Sequence, residues 1–175
     1  MTIITIEEHP FAQFVRILGK GKRGARSLTR EEAAQAMGML LDRQTEDSQL
    51  GAFLMLLRHK EESAEELAGF ADAVRSRLHA PALQVDLDWP SYAGKKRHLP
   101  WYLLAAKALA GSGIRILMHG GGLHTAGRLY SEQLLEMLEI PRCNDWPAVT
   151  DALEYQRLAF IPLGCWMPEL QRMID

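Results

Sequence analysis

The sequence predicts a small helical bundle over residues 1–78, followed by part of a parallel α/β domain over residues 85–175. Three observations lead to this prediction. The first part spaces its apolar residues one helical turn apart, the second part alternates short apolar strands with helices, and the segment HAPALQ between them resembles a linker. Strands that alternate with helices along a chain form a parallel sheet, because each helix returns the chain to the same end of the sheet.

Four helices are predicted in the first part. The segment HPFAQFVRILGKG has apolar residues at helical spacing and ends in glycines. Thr29 stands three residues before Glu32, which is the spacing of a capping box, and the segment ESAEELAGFADAVRSRL repeats that box. The third helix is apolar almost without a break from Leu50 to Leu57, which predicts a position at the centre of the bundle. The fourth predicted helix has one apolar face, formed by Leu67, Phe70, Ala71 and Val74.

The second part contains three predicted strands, VDLDW, IRILMHGG and RLAFIPLG. The helices LPWYLLAAKALAGSG and YSEQLLEMLEI lie between them, and WMPELQRMID resembles the opening of a further helix. A sheet of only three parallel strands has unpaired edges. We therefore expect either a longer protein or a partner that pairs with an edge.

Composition limits the class of protein. The chain has 175 residues, of which 47% are hydrophobic and 24% charged, and its net charge is −2. Any affinity for nucleic acid must therefore come from segregated charge. The two cysteines stand alone, which argues against a disulfide framework or a zinc site and favours a reducing cytoplasm. The acidic N-terminus does not resemble a signal peptide, and no apolar run approaches the roughly 20 residues that span a bilayer.

Two loops concentrate positive charge. The first basic loop, GKGKRGARS at residues 19–27, follows the first helix, and the second, AGKKRH at residues 93–98, follows the first strand. Each is either a solvated turn or a site for phosphates, and a P-loop does not fit the first one because no strand precedes it. Ligands of α/β sheets bind beyond the carboxyl ends of the strands, where the second loop lies. The candidate phosphate-binding residues are Lys20, Lys22, Arg23, Arg26, Lys95, Lys96, Arg97 and, in the loop after the second strand, Arg128.

No catalytic residue or metal site is predicted. His119 and His124 have no carboxylate or thiolate at ligand spacing, so we expect no bound metal. Cys165 has no evident base beside it and is expected to be a packed thiol. Tyr102, Trp166 and Trp101 have rings that stack on bases in other proteins, but core packing is the expectation for Trp101.

The helical part resembles the N-terminal domain of glycosyltransferase family 3, which includes anthranilate phosphoribosyltransferase and the thymidine and pyrimidine nucleoside phosphorylases. The resemblance rests on LTREEAAQAMGMLLDRQTEDSQLGAFLMLLRHKEESAEELAGFADAVR. The α/β part follows the anthranilate phosphoribosyltransferase order, including a strand that ends in HG, the helix LLEMLEI and the strand AFIPLG. The resemblance implies the first half of a phosphoribosyltransferase-like α/β domain, and a homodimer formed through the helical domain.

The substrate motifs of that family are replaced. An ungapped alignment from His119 places Pro90, Ser91, Tyr92, Ala93 and Gly94 at the family's GTGGD loop for phosphoribosyl diphosphate. The KHGN motif becomes MHGG, of which His119 and Gly120 match, NIST becomes PWYL, and the Ser-rich SVSSKSGS segment becomes LHTAGRLYS. Proline lacks the backbone N–H that would cradle a diphosphate, and a tyrosine ring fills the space.

These changes make the chain similar to a non-enzymatic branch of the family that binds nucleic acid and carries a GKGKxGAR-like loop and a KR…LP segment. The leading hypothesis is therefore a protein without catalytic residues or cofactor that binds the backbone of DNA or RNA. The alternative is a phosphoribosyltransferase in which Lys95, Lys96 and Arg97 hold the phosphates, with Mg²⁺ and an aromatic amine or base as acceptor. A third possibility is a folded fragment without activity of its own.

Overall fold

The computed structural model describes residues 8–21, 23–122 and 124–175. The chain divides into two compact units, Met1–Leu78 and His79–Asp175. The first unit contains the helices α1 (Ala12–Gly19), α2 (Arg30–Leu41), α3 (Asp47–Lys60) and α4 (Ala64–Arg75). Helix α2 packs against α4, and α1 packs against α3. The predicted helical bundle is thus confirmed.

Both predicted capping boxes form. The Thr29 hydroxyl accepts a hydrogen bond from the amide of Glu32, and the amide of Thr29 donates to the Glu32 carboxylate. Ser63 and Glu66 make the same exchange at the start of α4. Each box satisfies two backbone N–H groups that the first turn of a helix leaves unpaired.

The third helix is not the centre of the bundle. Phe53 and Leu57 are buried, but Leu54 is 37% exposed and Met55 is 67% exposed. The apolar run covers more of the helix surface than α1 contacts, so part of it remains at the surface. Phe53 packs edge to face on Phe11, with ring centroids 5.3 Å apart.

The buried face of α4 differs from the predicted apolar face mainly at Leu67, because Phe70, Ala71 and Val74 are half-buried. Leu67 is 55% exposed, whereas Glu66, Gly69 and Ala73 are buried. Gly69 decides this arrangement, because a Cβ atom there would lie 2.2 Å from the carbonyl oxygen of Arg30 in α2. A closely approaching backbone therefore determines which face of α4 meets α2.

The second unit contains a parallel sheet with the predicted strands in the order β1 (Leu87–Pro90), β2 (Ile116–Gly120) and β3 (Leu158–Pro162). Its helices are α5 (Tyr102–Gly111), α6 (Trp146–Gln156), α7 (Leu163–Trp166) and α8 (Pro168–Ile174). Helix α5 packs on the face of the sheet that carries Ile116 and Met118. Helix α6 packs on the opposite face, against Leu117 and Ala159. The α/β prediction is confirmed.

The predicted helix YSEQLLEMLEI is not an α-helix. It forms a short 3-10 helix, Ser131–Leu134, followed by turns that end at Glu139, whose φ is 52°. Leu135 and Ile140 are both buried against the sheet, and a spacing of five residues does not lie on one face of an α-helix. The burial of these two side chains takes precedence over the local helical pattern.

Helix α6 was not predicted from the sequence. Its first turn has a local signal, because the Asp145 carboxylate accepts a hydrogen bond from the amide of Ala148 at 2.8 Å and Pro147 occupies the first turn. The segment before α6 also bears on the predicted open edge of the sheet. The amide of Cys143 donates to the carbonyl of Phe160 at 2.7 Å, and the amide of Phe160 donates to the carbonyl of Pro141 at 2.9 Å, so this segment covers β3 at Phe160.

No helix in the part of the chain that the structure describes is long and apolar enough to cross a membrane.

Candidate functional site

The second basic loop is held against the loop that follows β2. The amide of Lys95 donates to the carbonyl of Leu129 at 2.7 Å, and the amide of Leu129 donates back at 2.8 Å. The Arg128 guanidinium donates to the carbonyl of Gly94 at 3.1 Å. These bonds bring Arg128 beside the loop that carries Lys95, Lys96 and Arg97, because both loops follow the carboxyl ends of neighbouring parallel strands.

The cations of this loop face outward. Lys96, Arg97 and Arg128 are exposed, and Lys95 is half-buried with its ammonium 5.3 Å from the centre of the Tyr102 ring. None of the four forms an ion pair with a carboxylate among the described residues. Exposed cations that are not paired with a carboxylate bind phosphates without first breaking an ion pair.

The first basic loop has a different arrangement. Lys20 and Arg23 are exposed and form no ion pair with a described residue. The two terminal guanidinium nitrogens of Arg26, Nη1 and Nη2, donate hydrogen bonds to the two oxygens of the Glu32 carboxylate, at 2.6 and 2.7 Å. Lys22 lies outside the described residues. Arg26 must therefore break a bidentate pair before it can bind a phosphate.

Negative charge is excluded from two stretches of the chain. No Asp or Glu lies between Glu8 and Glu31, and none lies between Asp88 and Glu132. All 22 carboxylate side chains of the chain fall outside these two stretches, and each stretch contains one basic loop. This pattern was readable from the sequence, and it strengthens the assignment of both loops as positively charged surfaces.

The segment that replaces the family's glycine loop, Pro90–Gly94, is packed on β2. The amide of Ser91 donates to the carbonyl of His119 at 2.7 Å. A Cβ atom on Gly120 would lie 2.1 Å from the carbonyl oxygen of Ser91, so only glycine permits this approach. The Ser91 amide is therefore used within the protein and is not free for a ligand.

Three hydroxyl groups bind one another beneath this segment. The Ser91 hydroxyl lies 2.8 Å from that of Tyr102 and 2.5 Å from that of Ser131, and the last two are 2.5 Å apart. Ser91 and Ser131 are buried. This hydroxyl cluster joins the loop after β1, the start of α5 and the start of the 3-10 helix. Those are three of the four segments that the sequence alignment places at the family's substrate motifs.

A second hydrogen-bonded network, formed by Asp88, His119 and Tyr92, lies on the other face of β2. His119 Nε2 lies 3.0 Å from the Asp88 carboxylate, and its Nδ1 lies 2.7 Å from the Tyr92 hydroxyl. Burial lowers the pKa of His119, and burial together with Asp88 raises the pKa of Tyr92 to about 12. His119 therefore donates from Nε2 to Asp88 and accepts from neutral Tyr92 at Nδ1. Trp166 packs edge to face on His119, with centroids 5.8 Å apart.

Trp101 differs from the expectation of core packing, because it is 61% exposed. It precedes α5, next to Tyr102, whose hydroxyl points inward to the hydroxyl cluster. The two rings diverge because consecutive positions on a helix lie about 100° apart. The sequence could not decide which of them is buried.

A recess of about 680 Å³ opens at the carboxyl ends of β2 and β3. Within it the Arg142 guanidinium is paired with Glu132 at 2.7 Å. Cys165 is an exposed free thiol at its rim. Among the described residues no group of three His, Cys, Asp or Glu side chains is placed to hold a metal ion.

Comparison with known proteins identifies the class of this fold. Residues 13–78 match the helical bundle domain of a glycosyl transferase family. The anthranilate phosphoribosyltransferase structure from Thermus thermophilus superposes with a TM-score of 0.70 at 23% identity, over 93% of this chain and 48% of that one. The protein thus has the architecture of a glycosyl transferase with an N-terminal helical bundle.

The chain belongs to the anthranilate phosphoribosyltransferase-like group of glycosyltransferase family 3. It is 33% identical to the anthranilate phosphoribosyltransferase of Brevibacillus brevis, over 77% of this chain and 40% of that protein. It is 28% identical to the uncharacterized protein YbiB of Escherichia coli K12, over 94% of this chain and 52% of that protein. The chain spans about half the length of these curated relatives.

Proposed function

We propose that this protein binds DNA or RNA through the phosphate backbone, largely independently of base sequence, with no catalytic residue and no cofactor. The observation that carries the proposal is the position of both basic loops inside the two carboxylate-free stretches of an otherwise acidic chain. Exposed, unpaired cations in such stretches produce a local positive potential despite the net charge of −2.

The residues proposed to bind phosphates differ in whether another group of the protein already binds them. Lys20 and Arg23 in the helical unit are exposed and unpaired among the described residues, as are Lys96, Arg97 and Arg128 in the α/β unit. The Lys95 ammonium makes a cation–π contact with the Tyr102 ring. Arg26 contributes once it is released from Glu32, and Lys22 remains a sequence-based candidate.

The packed Pro90–Gly94 segment argues against phosphoribosyl transfer. A diphosphate is bound best by several free backbone N–H groups, whereas the amide and hydroxyl of Ser91 are already hydrogen-bonded within the protein. In the recess, Glu132 neutralises Arg142. We infer that this fold has lost the anion cradle of a transferase.

The names of several relatives nevertheless favour phosphoribosyl transfer as a second candidate function. It requires binding of phosphoribosyl diphosphate with Mg²⁺, and isothermal titration calorimetry with the protein measures that binding directly. Saturable, Mg²⁺-dependent binding supports the transferase, and its absence beside tight binding of nucleic acid supports the proposal above.

We also propose a homodimer formed through the helical unit, which would place two copies of each basic loop on one particle. The exposed apolar side chains of Leu54, Met55 and Leu67 support this assembly, because an interface through the helical unit would remove them from water. The two free cysteines support a cytoplasmic location.

The test is a titration of a labelled DNA duplex by fluorescence anisotropy between about 50 and 200 mM salt. Replacement of Lys95, Lys96 and Arg97 by Gln is expected to reduce the slope of log K against log salt by up to about 2.7, because each phosphate contact contributes about 0.9. The charge-matched control replaces Arg58, Arg75 and Arg157, exposed cations outside both carboxylate-free stretches, by Gln. Equal slopes for the two triple variants, or no binding by the unmodified protein at low salt, would overturn the proposal.

A further inference from the structure

We infer that Trp101 stacks on an unpaired base, so that the second basic loop and Trp101 together bind single-stranded nucleic acid. This inference rests on the proposed function, because it assigns the form of nucleic acid that the same site prefers.

The first step is the exposure of the Trp101 ring on a fixed backbone. The amide of Trp101 donates to the carbonyl of Leu99 at 2.8 Å, and its carbonyl accepts from the amide of Leu104 at 3.0 Å. The neighbouring Pro100 and Leu103 are buried, while the indole is 61% exposed. The backbone that carries the exposed indole is therefore already ordered, so little backbone conformational entropy is lost when a ligand covers the ring.

The second step is the chemistry around the ring. Isolated exposed apolar residues are common and need no explanation. Here, however, Leu99 is 49% exposed and Trp101 follows the exposed cations Lys96 and Arg97 by only a few residues. No carboxylate occurs in the whole stretch from Trp89 to Ser131. Proteins that bind single strands combine cations, which bind the backbone, with exposed aromatic rings, which stack on the bases.

The third step separates single strands from duplexes. Bases in a duplex are stacked on one another and present only their edges in the grooves. A tryptophan that binds by its ring face therefore needs an unpaired base. The cations of the loop bind phosphates in either form, so only the contribution of Trp101 distinguishes the two.

The experiment compares Trp101→Ala with the unmodified protein on four ligands: oligothymidylate, oligouridylate, an abasic oligonucleotide of the same length, and a duplex. Stacking of one base contributes about 1–3 kcal/mol, which corresponds to a loss of roughly 5- to 150-fold in affinity for the strands with bases. Affinity for the abasic strand and the duplex is expected to change less than about twofold, because phosphate contacts alone remain there. The two base-bearing strands distinguish a DNA ligand from an RNA ligand.

Two further variants control for damage to the fold. Trp101→Phe keeps an aromatic face and is expected to retain most of the single-strand affinity. Leu109→Ala removes another exposed apolar side chain of α5 and is expected to leave all four affinities unchanged. An equal loss on all four ligands, or no loss on any, would overturn the inference while leaving duplex binding, and hence the proposed function, intact. Failure of the unmodified protein to bind any of the ligands would instead remove the proposed function.

Discussion

The carboxylate of Glu66 accepts a hydrogen bond from the backbone amide of Leu28, 38 positions earlier in the chain, at 2.9 Å. The same buried carboxylate accepts from the ammonium of Lys60 at 2.7 Å, and that ammonium also donates to the Ser27 hydroxyl. These contacts tie the end of the first basic loop to the starts of α2 and α4. A single buried charge therefore holds the end of the first basic loop in place.

The replacement Glu66→Gln is expected to destabilise the helical unit. It leaves Lys60 without its carboxylate partner in a mostly buried position, and breaking such pairs costs about 3–5 kcal/mol, of which the amide recovers part. Urea unfolding followed by circular dichroism measures the change. Glu65→Gln, at the exposed neighbouring position, is the control, and equal midpoints for the two variants would contradict the assignment.

Stability of the helical unit is expected to fall in acid. Hydrogen bonds from Arg26 lower the pKa of Glu32 from 4.5 to about 2, and the bonds from Lys60, Ser63 and Leu28 to Glu66 outweigh its burial and lower its pKa as well. A carboxyl group with a lowered pKa in the folded state stabilises fully above its unfolded pKa and loses that contribution as the pH falls towards its folded pKa. For Glu32 this window runs from about pH 4.5 down to about pH 2.

The measurement is urea unfolding at a series of pH values for the unmodified protein and for Glu32→Gln. The variant is expected to lose part of the pH dependence in that window. Curves that remain parallel would show that the Arg26–Glu32 pair does not persist in solution.

Gly120→Ala is expected to disrupt the α/β unit. The new methyl group would meet the Ser91 carbonyl at 2.1 Å, so the Pro90–Gly94 segment must leave β2, at a cost of about 1–3 kcal/mol or more. Gly111→Ala at the last residue of α5 meets nothing within 4 Å and is expected to be neutral or stabilising by up to about 1 kcal/mol. Thermal unfolding of the two variants measures both effects. A decrease in unfolding temperature of similar size for both variants would contradict the prediction.

Tyr102→Phe is expected to destabilise the α/β unit by about 1–3 kcal/mol. It removes the hydroxyl that lies 2.8 Å from Ser91 and 2.5 Å from Ser131, although the two serines still bind each other. Tyr155→Phe, at an 81% exposed ring, is the matched control. Indistinguishable unfolding midpoints would show that the hydroxyl cluster contributes little.

Met55→Glu is expected to convert the proposed dimer into a monomer. A carboxylate at a position that is 67% exposed costs little in the free chain but a great deal inside an apolar interface. Light scattering after size exclusion measures the mass, with Met137→Glu, at a 71% exposed methionine of the α/β unit, as the control. An unmodified protein that is already monomeric at high concentration would remove the dimer proposal.

Local patterns in the sequence predicted much of this fold correctly. The boxes at Thr29 and Ser63 need only residues three positions apart, and the strands and α5 follow from short periodic runs, so no knowledge of distant contacts was required. The two basic loops were also evident from local charge. The same reasoning failed for YSEQLLEMLEI, whose local pattern favours a helix while the sheet buries Leu135 and Ile140 together.

The sequence by itself therefore determined the helical and α/β parts, the parallel order of the strands and the position of the cations on loops. Only the tertiary structure decided which groups remain available. It paired Arg26 with Glu32, enclosed the hydroxyls of Ser91, Tyr102 and Ser131, and left Trp101 in solvent. Exposure and pairing depend on contacts between segments distant in the chain, and neither periodicity nor composition encodes which faces meet.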